Sequence, residues 1–374
     1  MAGEKKRKAK DNRDKLKICF VAPLPPPYGG IANWTAMMCN YIDDKKKEEI
    51  SYEIINSAPK KRVTEGRTLL QRIVGGTWNA FNNGKQLKKI LKSKKIDCVH
   101  MTTSGSLSLI RDYILCSVAK RQRVPVIYHI HFGKIPEMKT CNGIAWKIFQ
   151  RLLERVSAVV AIDKNTYQCL YHVIGECVVY IENPIDTGKL PKREEQSEEI
   201  VMYLGWVIKE KGIEELLEAW GKVYPQKKNW VLHIVGPYQK EYYKYLSGRY
   251  HMEGVTFFGE QPHEAAMDLL NHASIFLLPS YTEGCPYVIM EAMALAKSVI
   301  ATAVGNIPEM LAGDCGIVIK PKDSIAIEVA LKSCMDDVEK RAFLGINAIN
   351  KVQNNYLIDK IILKYMDVWR SVCL

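Results

Sequence analysis

The chain lacks the signatures of a membrane-spanning, metal-bound or disulfide-stapled protein. No run of about 18 apolar residues occurs anywhere in it, so no hydrophobic helix is expected to cross a bilayer. Its eleven cysteines contain no Cys-x-x-Cys pair, which argues against a zinc site and against a disulfide framework. Cys19, Cys98 and Cys116 sit inside apolar segments, where a free thiol behaves as a small hydrophobe. A reducing cytoplasm is the compartment this usage suits. The start, Met-Ala-Gly-Glu-Lys-Lys-Arg-Lys, has neither an apolar signal core nor a cleavage site, and a cytoplasmic location is expected. No Asp-x-Asp pair stands near a candidate strand end and no Gly-x-Ser-x-Gly elbow appears, so neither a metal cofactor nor a serine nucleophile is expected.

What is present is a soluble, globular composition, 47% hydrophobic and 25% charged over 374 residues. That length is enough for two domains with full cores. The net charge of +12 is uneven, because residues 1–190 hold 33 Lys and Arg against 17 Asp and Glu. A basic half of this kind faces an anionic partner or simply aids solubility.

Short apolar, β-branched runs alternate with helix-period segments. Strands are predicted at 17–22, 52–55, 97–101, 124–130, 158–162 and 177–181, with helices at 31–42, 107–121 and 146–155. The alternation implies βαβ units and a mostly parallel sheet. A polar stretch at 186–199 reads as an inter-domain linker. The pattern then restarts with strands at 200–204, 230–235, 255–258, 275–278, 298–301 and 316–319, and ends on an amphipathic helix at 356–372. The expected organisation is a basic tail at 1–15, a Rossmann-like domain at 16–187, a linker at 188–199, a second such domain at 200–355, and a segment at 356–374 that packs back on the first.

Residues 279–296, Pro-Ser-Tyr-Thr-Glu-Gly-Cys-Pro-Tyr-Val-Ile-Met-Glu-Ala-Met-Ala-Leu-Ala, carry the strongest chemical signal. Glu283 and Glu291 flank a Gly284-Cys285-Pro286 turn that opens a helix, with Pro286 expected at its first position. The free N–H groups and positive dipole end of that helix suit an anion. Carboxylates on either side suit hydroxyls at both ends of a ligand whose centre is a phosphate. Lys211, before Gly212 at the start of another helix, is placed to reach a diphosphate as a point charge. Gly29 and Gly30 end a Pro-rich loop after the first strand and can bring backbone N–H groups close to a ligand. His131 ends the fourth strand and His100 the third.

Together these segments resemble family 4 of the retaining glycosyltransferases. The resemblance rests on Pro27-Tyr28-Gly29-Gly30, His131, Asn183-Pro-Ile-Asp186, Gly205 with Lys211-Gly212, Val235-Gly236, Pro279-Ser280, the Glu283/Glu291 pair and the run Ala301 to Glu309. It implies an α/β architecture of the GT-B type, two doubly wound Rossmann-like domains facing across a cleft. A nucleotide-sugar donor would then be held by Glu291 at the ribose and by Glu283 with the backbone of Gly284, Cys285 and Pro286 at the sugar. The N–H groups of Val288 and Ile289, with Lys211, would hold the diphosphate, and His131 would touch the sugar's 6-position. Gly29, Gly30 and Gly205 complete the donor surface. Where family members often carry an arginine, this chain has Trp206, and Lys209 is the candidate substitute. Cys285 stands where a larger apolar residue is usual.

The same resemblance implies a glycan or lipid-linked saccharide as acceptor. The segment 60–95 combines Leu69, Leu70, Ile73, Val74, Trp78 and Phe81 with Arg67, Arg72 and six lysines, Lys85 to Lys95. Such a basic amphipathic stretch suits an anionic membrane surface, and an ordinary core face with solvated lysines reads the same way. Peripheral attachment to the cytoplasmic membrane face follows as an expectation. A GT-B-type nucleotide-sugar epimerase and a non-catalytic basic binding protein are the alternatives. Nucleic acid is not expected, since the basic residues are not interleaved with stacking aromatics.

Overall fold

A computed structural model describes residues 15–26, 29–58, 69–105, 108–194 and 198–373, with 69–79 described as backbone only. Residues 1–14 of the expected basic tail, Pro27, Tyr28 and Arg67 lie outside the described residues. So do the side chains of Leu69, Leu70, Arg72, Ile73, Val74 and Trp78. The chain divides into two compact units, Met1–Ile181 with Ile362–Leu374, and Glu182–Ile361.

The first unit holds β1 (Leu16–Ala22), α1 (Gly30–Tyr41), β2 (Ile50–Asn56), α2 (Leu69–Ser93), β3 (Cys98–Thr103), α3 (Ser108–Arg121), β4 (Val126–Ile130), α4 (Ile135–Cys141), α5 (Ile144–Leu153), β5 (Ala158–Ala161), α6 (Lys164–Ile174) and β6 (Val178–Tyr180). Its six strands form one sheet in the order β2-β1-β3-β4-β5-β6, all pairs parallel. Ile18 to Ala22 are fully buried, as expected of a strand covered on both faces by crossover helices. Helix α5 buries Trp146, Phe149, Leu152 and Leu153, a stripe spaced three and four apart.

The second unit holds β7 (Ile200–Leu204), α7 (Ile213–Val223), β8 (Val231–Val235), α8 (Lys240–Arg249), β9 (Val255–Gly259), α9 (His263–His272), β10 (Ile275–Leu278), α10 (Tyr287–Ala294), β11 (Ser298–Thr302), α11 (Ile307–Leu311), β12 (Ile317–Ile319), α12 (Ser324–Asp336) and α13 (Val338–Asn355). The strand order is β12-β11-β10-β7-β8-β9, again parallel throughout. Helix α7 places Ile213, Leu216, Leu217, Trp220 and Val223 in the core. Each such side chain contributes roughly 1.5–3 kcal/mol by leaving water.

The last helix, α14 (Ile358–Val372), begins in the second unit and from Ile362 belongs to the first. Its buried face is Ile358, Ile361, Ile362, Tyr365, Met366 and Trp369, one stripe of a 3.6-residue period.

The polar stretch read as a linker is not where the units divide. The chain passes from one to the other between Ile181 and Glu182, and the following residues are tied to the second unit. The Asn271 amide donates to Lys192 O at 2.7 Å and accepts from Glu194 N at 3.2 Å, and Glu198 N donates to His272 O at 2.8 Å. Polar composition here marks a strap on the surface rather than a join. The described part of the basic segment also has a structural role. Ala80 and Leu87 are buried, Ile90 and Leu91 pack on the core, and Lys85, Lys88, Lys89, Lys92, Lys94 and Lys95 point to solvent.

Candidate active site

In the second sheet β7 lies between β8 and β10, so the connections leaving β7 and β10 diverge to opposite sides. Parallel sheets open a crevice at such a switch point, beyond the carboxyl ends of the two strands. Residues 205–212 follow β7 and residues 279–286 follow β10, and these loops hold most of the candidate residues.

Close backbone approach locks the two loops together. Gly212 has φ +72°, and a methyl group added there would stand 2.1 Å from Pro279 O. Only glycine fits both the left-handed backbone and that gap. Gly305, with φ +57°, seats the loop after β11 under residues 283–284, where a methyl would meet Glu283 O and Gly284 O at 2.4 Å. Further hydrogen bonds fix the chain between them. Tyr281 N donates to Glu210 O at 2.9 Å, the Tyr281 hydroxyl to Glu215 at 2.6 Å, Thr302 Oγ1 to Ser280 O at 2.5 Å, and Asn306 N to Gly284 O at 2.8 Å.

Within this frame Lys211 Nζ lies 2.5 Å from Glu283 Oε1, with both side chains mostly buried. Glu291 sits on the second turn of α10, and its Oε1 is 2.8 Å from His263 Nε2 at the start of α9. The hydrogen bond to Glu291 raises the His263 pKa above its ordinary 6.5. Glu283 and Glu291 thus have separate partners, a lysine and a histidine. Lys209, expected as a second phosphate cation, is largely exposed and stands 4.0 Å from Glu214 instead. Trp206 exposes 42% of its surface, and its carbonyl accepts from the buried Tyr203 hydroxyl at 2.7 Å. Gly205 N donates to Val235 O at 2.9 Å, holding the loop against β8.

Two local expectations shift. Pro286 is the cap of α10, with extended backbone at φ −73° and ψ 122°, and the helix begins at Tyr287. Its carbonyl accepts from Ile289 N at 3.2 Å, so Ile289 N–H is already engaged and Val288 N–H is the more accessible donor of the pair. Lys211 ends a 3₁₀ turn, Lys209–Lys211, and precedes α7 rather than lying in it. Around the turn, Cys285 Sγ is 3.9 Å from Met310 Sδ and from Asn306 Nδ2, and Cys285 O accepts from Asn183 at 3.4 Å.

In the first unit, Gly29 caps α1 with extended backbone, φ 175°, and a methyl at Gly30 would touch nothing within 4 Å. His131 directly follows β4 and is half-buried, whereas His100 in β3 is fully buried. A third histidine, His129, links them: its Nδ1 lies 3.2 Å from both His100 Nε2 and His131 Nε2. Among the described residues no three His, Cys, Asp or Glu side chains are grouped as metal ligands, and no helix is long and apolar enough to cross a membrane.

Sequence reasoning missed His263, Tyr203, Asn306 and His129. His263 had a readable signal, since it opens the helix after β9 and so stands at a strand's carboxyl end. Asn306 and His129 depend on contacts across the fold, and Tyr203 on a turn that brings its hydroxyl back to Trp206 O.

Two doubly wound parallel sheets, the second with a charged switch-point site, are the architecture of the GT-B glycosyltransferases. Residues 30–189 match the model of Glycosyltransferase Family 4, and residues 186–351 that of glycosyl transferases group 1. The chain belongs to this family. It is similar to TuaC of Bacillus subtilis, a glycosyltransferase assigned to teichuronic acid biosynthesis, at 28% identity over 57% of this chain and 56% of the relative. It is also similar to CapM of Staphylococcus aureus, a capsular polysaccharide biosynthesis glycosyltransferase, at 25% identity over 42% of each. The matched stretch thus spans about half the length of these relatives. Among solved structures, Anabaena HepE in complex with UDP has the same fold, with TM-score 0.71 and 16% identity over 95% of this chain and 100% of that one.

Proposed function

We propose that this chain is a retaining, metal-independent glycosyltransferase. In this reading it moves a hexose-type unit from a UDP- or GDP-sugar to a glycan or lipid-linked saccharide in cell-surface polysaccharide synthesis. The observation that carries the reading is the Lys211–Glu283 pair beside the amino end of α10, at the switch point of the second sheet. A pyrophosphate leaving group needs positive charge where its own charge develops, and Lys211 with the helix end supplies it. Glu283, released from Lys211 by the incoming phosphate, accepts from the sugar hydroxyls. Glu291 accepts from the ribose, and His131 contacts the sugar's 6-position. Orientation and leaving-group stabilisation then carry the reaction through an oxocarbenium-like state with no protein nucleophile.

The names of TuaC and CapM support a polysaccharide acceptor, and the HepE complex supports a uridine nucleotide. The exposed lysines on and just beyond the end of α2 support attachment to an anionic membrane face. Labelled UDP- and GDP-sugars incubated with the protein test the main reading. Transfer or slow donor hydrolysis that persists in EDTA is expected, and activity abolished by EDTA would sink metal independence. Flotation with anionic liposomes at low salt, reversed at high salt, tests the membrane contact, and no flotation at low salt removes it.

A further inference from the structure

Two of the eleven cysteines meet where the last helix lies on the first sheet. Cys98 opens β3 and is fully buried, whereas Cys373, one residue past the end of α14, is exposed. The register between helix and strand brings them together. Trp369 Nε1 donates to His100 Nδ1 at 3.0 Å, and the two rings are 5.9 Å apart. Cys98 stands two residues before His100 on the same face of the strand, about 6.6 Å away along it. Cys373 stands four residues after Trp369, one turn on and about 6 Å along the helix axis. Equal steps from one shared contact therefore set thiol against thiol. A second contact gives the direction: Arg370 Nη2 lies 3.6 Å from Glu49 Oε2, and Glu49 O accepts from Leu16 N at 2.9 Å at the amino end of β1. Helix α14 thus runs toward the amino edge of the sheet, where Cys98 stands. Cys373 N donates to Arg370 O at 3.2 Å, which carries the turn on through the cysteine.

The Cys98 thiol donates a hydrogen bond to the Cys373 sulfur. That bond, with burial, holds Cys98 well above the usual thiol range, and the same accepted proton lowers Cys373. Cys19 on the adjacent strand does not compete. It is in register with Val99 and lies with Val99 and Met101 in the core on the opposite face of the sheet.

We propose that Cys373 and Cys98 are a peroxide-responsive thiol pair, in which exposed Cys373 reacts first and buried Cys98 resolves it into a disulfide that staples α14 to β3. An accessible thiolate beside a resolving thiol is the arrangement that reversible sulfenic-acid chemistry uses. The Cys373 thiolate attacks one oxygen of hydrogen peroxide, the O–O bond breaks, and hydroxide leaves as the sulfur becomes a sulfenic acid. The Cys98 sulfur then attacks the sulfenic sulfur. An S–S bond forms, the S–O bond breaks, and the Cys98 proton leaves with that hydroxyl as water. The proton first lost from Cys373 turns the earlier hydroxide into a second water, so two thiols give two electrons to one peroxide. The staple is independent of the donor and acceptor proposed above.

The test treats the reduced full chain with hydrogen peroxide at neutral pH, alkylates the remaining thiols under denaturing conditions, and maps the peptides by mass spectrometry. Wild type is expected to give one intramolecular Cys98–Cys373 cross-link, reversed by dithiothreitol, while the other exposed cysteines, Cys141 and Cys177, are recovered alkylated. The melting temperature of the oxidised protein should rise by about 5 °C, because the bond closes a loop of most of the chain. Cys373→Ser, given the same peroxide, should show neither cross-link nor rise. In Cys98→Ser the resolving thiol is gone, and dimedone should trap Cys373 as its sulfenic acid. Wild type that forms no Cys98–Cys373 cross-link, or links Cys373 only to a second chain, overturns the proposal even if Cys98→Ser fails to fold. A cross-link that lowers the melting temperature overturns it as well, since such a bond would not fit the folded geometry.

Discussion

Lys211 and Glu283 neutralise each other at 2.5 Å across two loops that leave neighbouring strands of one parallel sheet. The pair joins residues 72 positions apart, and each is a group that a sugar diphosphate would engage separately. The two charges that the proposed reaction uses are thus paired with each other across the loops.

Glu283→Gln and Lys211→Met are each expected to lower donor turnover at least about a hundredfold, the scale of losing one charge-stabilising contact in a transition state. Because both side chains are mostly buried, each change leaves its partner unpaired and should cost about 1–3 kcal/mol of stability as well. Initial rates and urea unfolding on the same preparations check both halves. Near-normal rates would remove these residues from the site.

Gly212→Ala tests the loop lock. The residue sits in left-handed backbone 2.1 Å, at the added methyl, from Pro279 O, and the carbonyl is not free to move. A loss of about 2 kcal/mol or more is expected, the range of strain at a special backbone position. Gly30→Ala, where the methyl meets nothing, should leave stability within about 0.5 kcal/mol of wild type. Urea midpoints of the two variants give the comparison.

The His263–Glu291 pair should make the second unit's stability depend on pH. Its folded pKa is raised above the unfolded value near 6.5, so the contribution is fully present below that value and fades as pH rises through the folded one. His263→Gln should therefore lower the melting temperature at pH 5.5 and have little effect at pH 9. An equal difference at both values would contradict the pairing.

His100 and His129 predict the opposite trend. Their folded pKa values are depressed, His100 to about 3, so between that value and about 6.5 the unfolded chain binds more protons. Each should cost about 1.4 kcal/mol of stability for every pH unit below the ordinary histidine value. Urea unfolding followed by tryptophan fluorescence at pH 7 and pH 5 reads this, and His100→Gln should flatten the dependence.

The local pattern made most of the fold legible. Strands at 200–204 and 275–278 match β7 and β10 residue for residue, because a short β-branched run bounded by polar turns has few other ways to bury itself. The amphipathic period of the last helix was equally readable, starting at Ile358 where 356 was expected. The site was legible where one segment carried it, as in Glu283, Gly284, Cys285 and Glu291. Pro286 shifted by one position because proline tolerates both a helical and an extended ψ, and only the Ile289 contact selects between them. The stretch after Asp186 misled because polarity reports exposure, and a tethered surface strap is as exposed as a linker.

By itself the sequence determined the alternation of strands and helices, the two parallel sheets and the carboxylates around α10, since these follow from periodicity and turn chemistry within about twenty residues. Tertiary structure alone decided the partners: Lys211 on Glu283, His263 on Glu291, and Trp369 on His100, separated by 269 positions. A hydrogen bond is selected by distances of a fraction of an ångström, and those are set by how helices pack on a sheet rather than by any spacing along the chain.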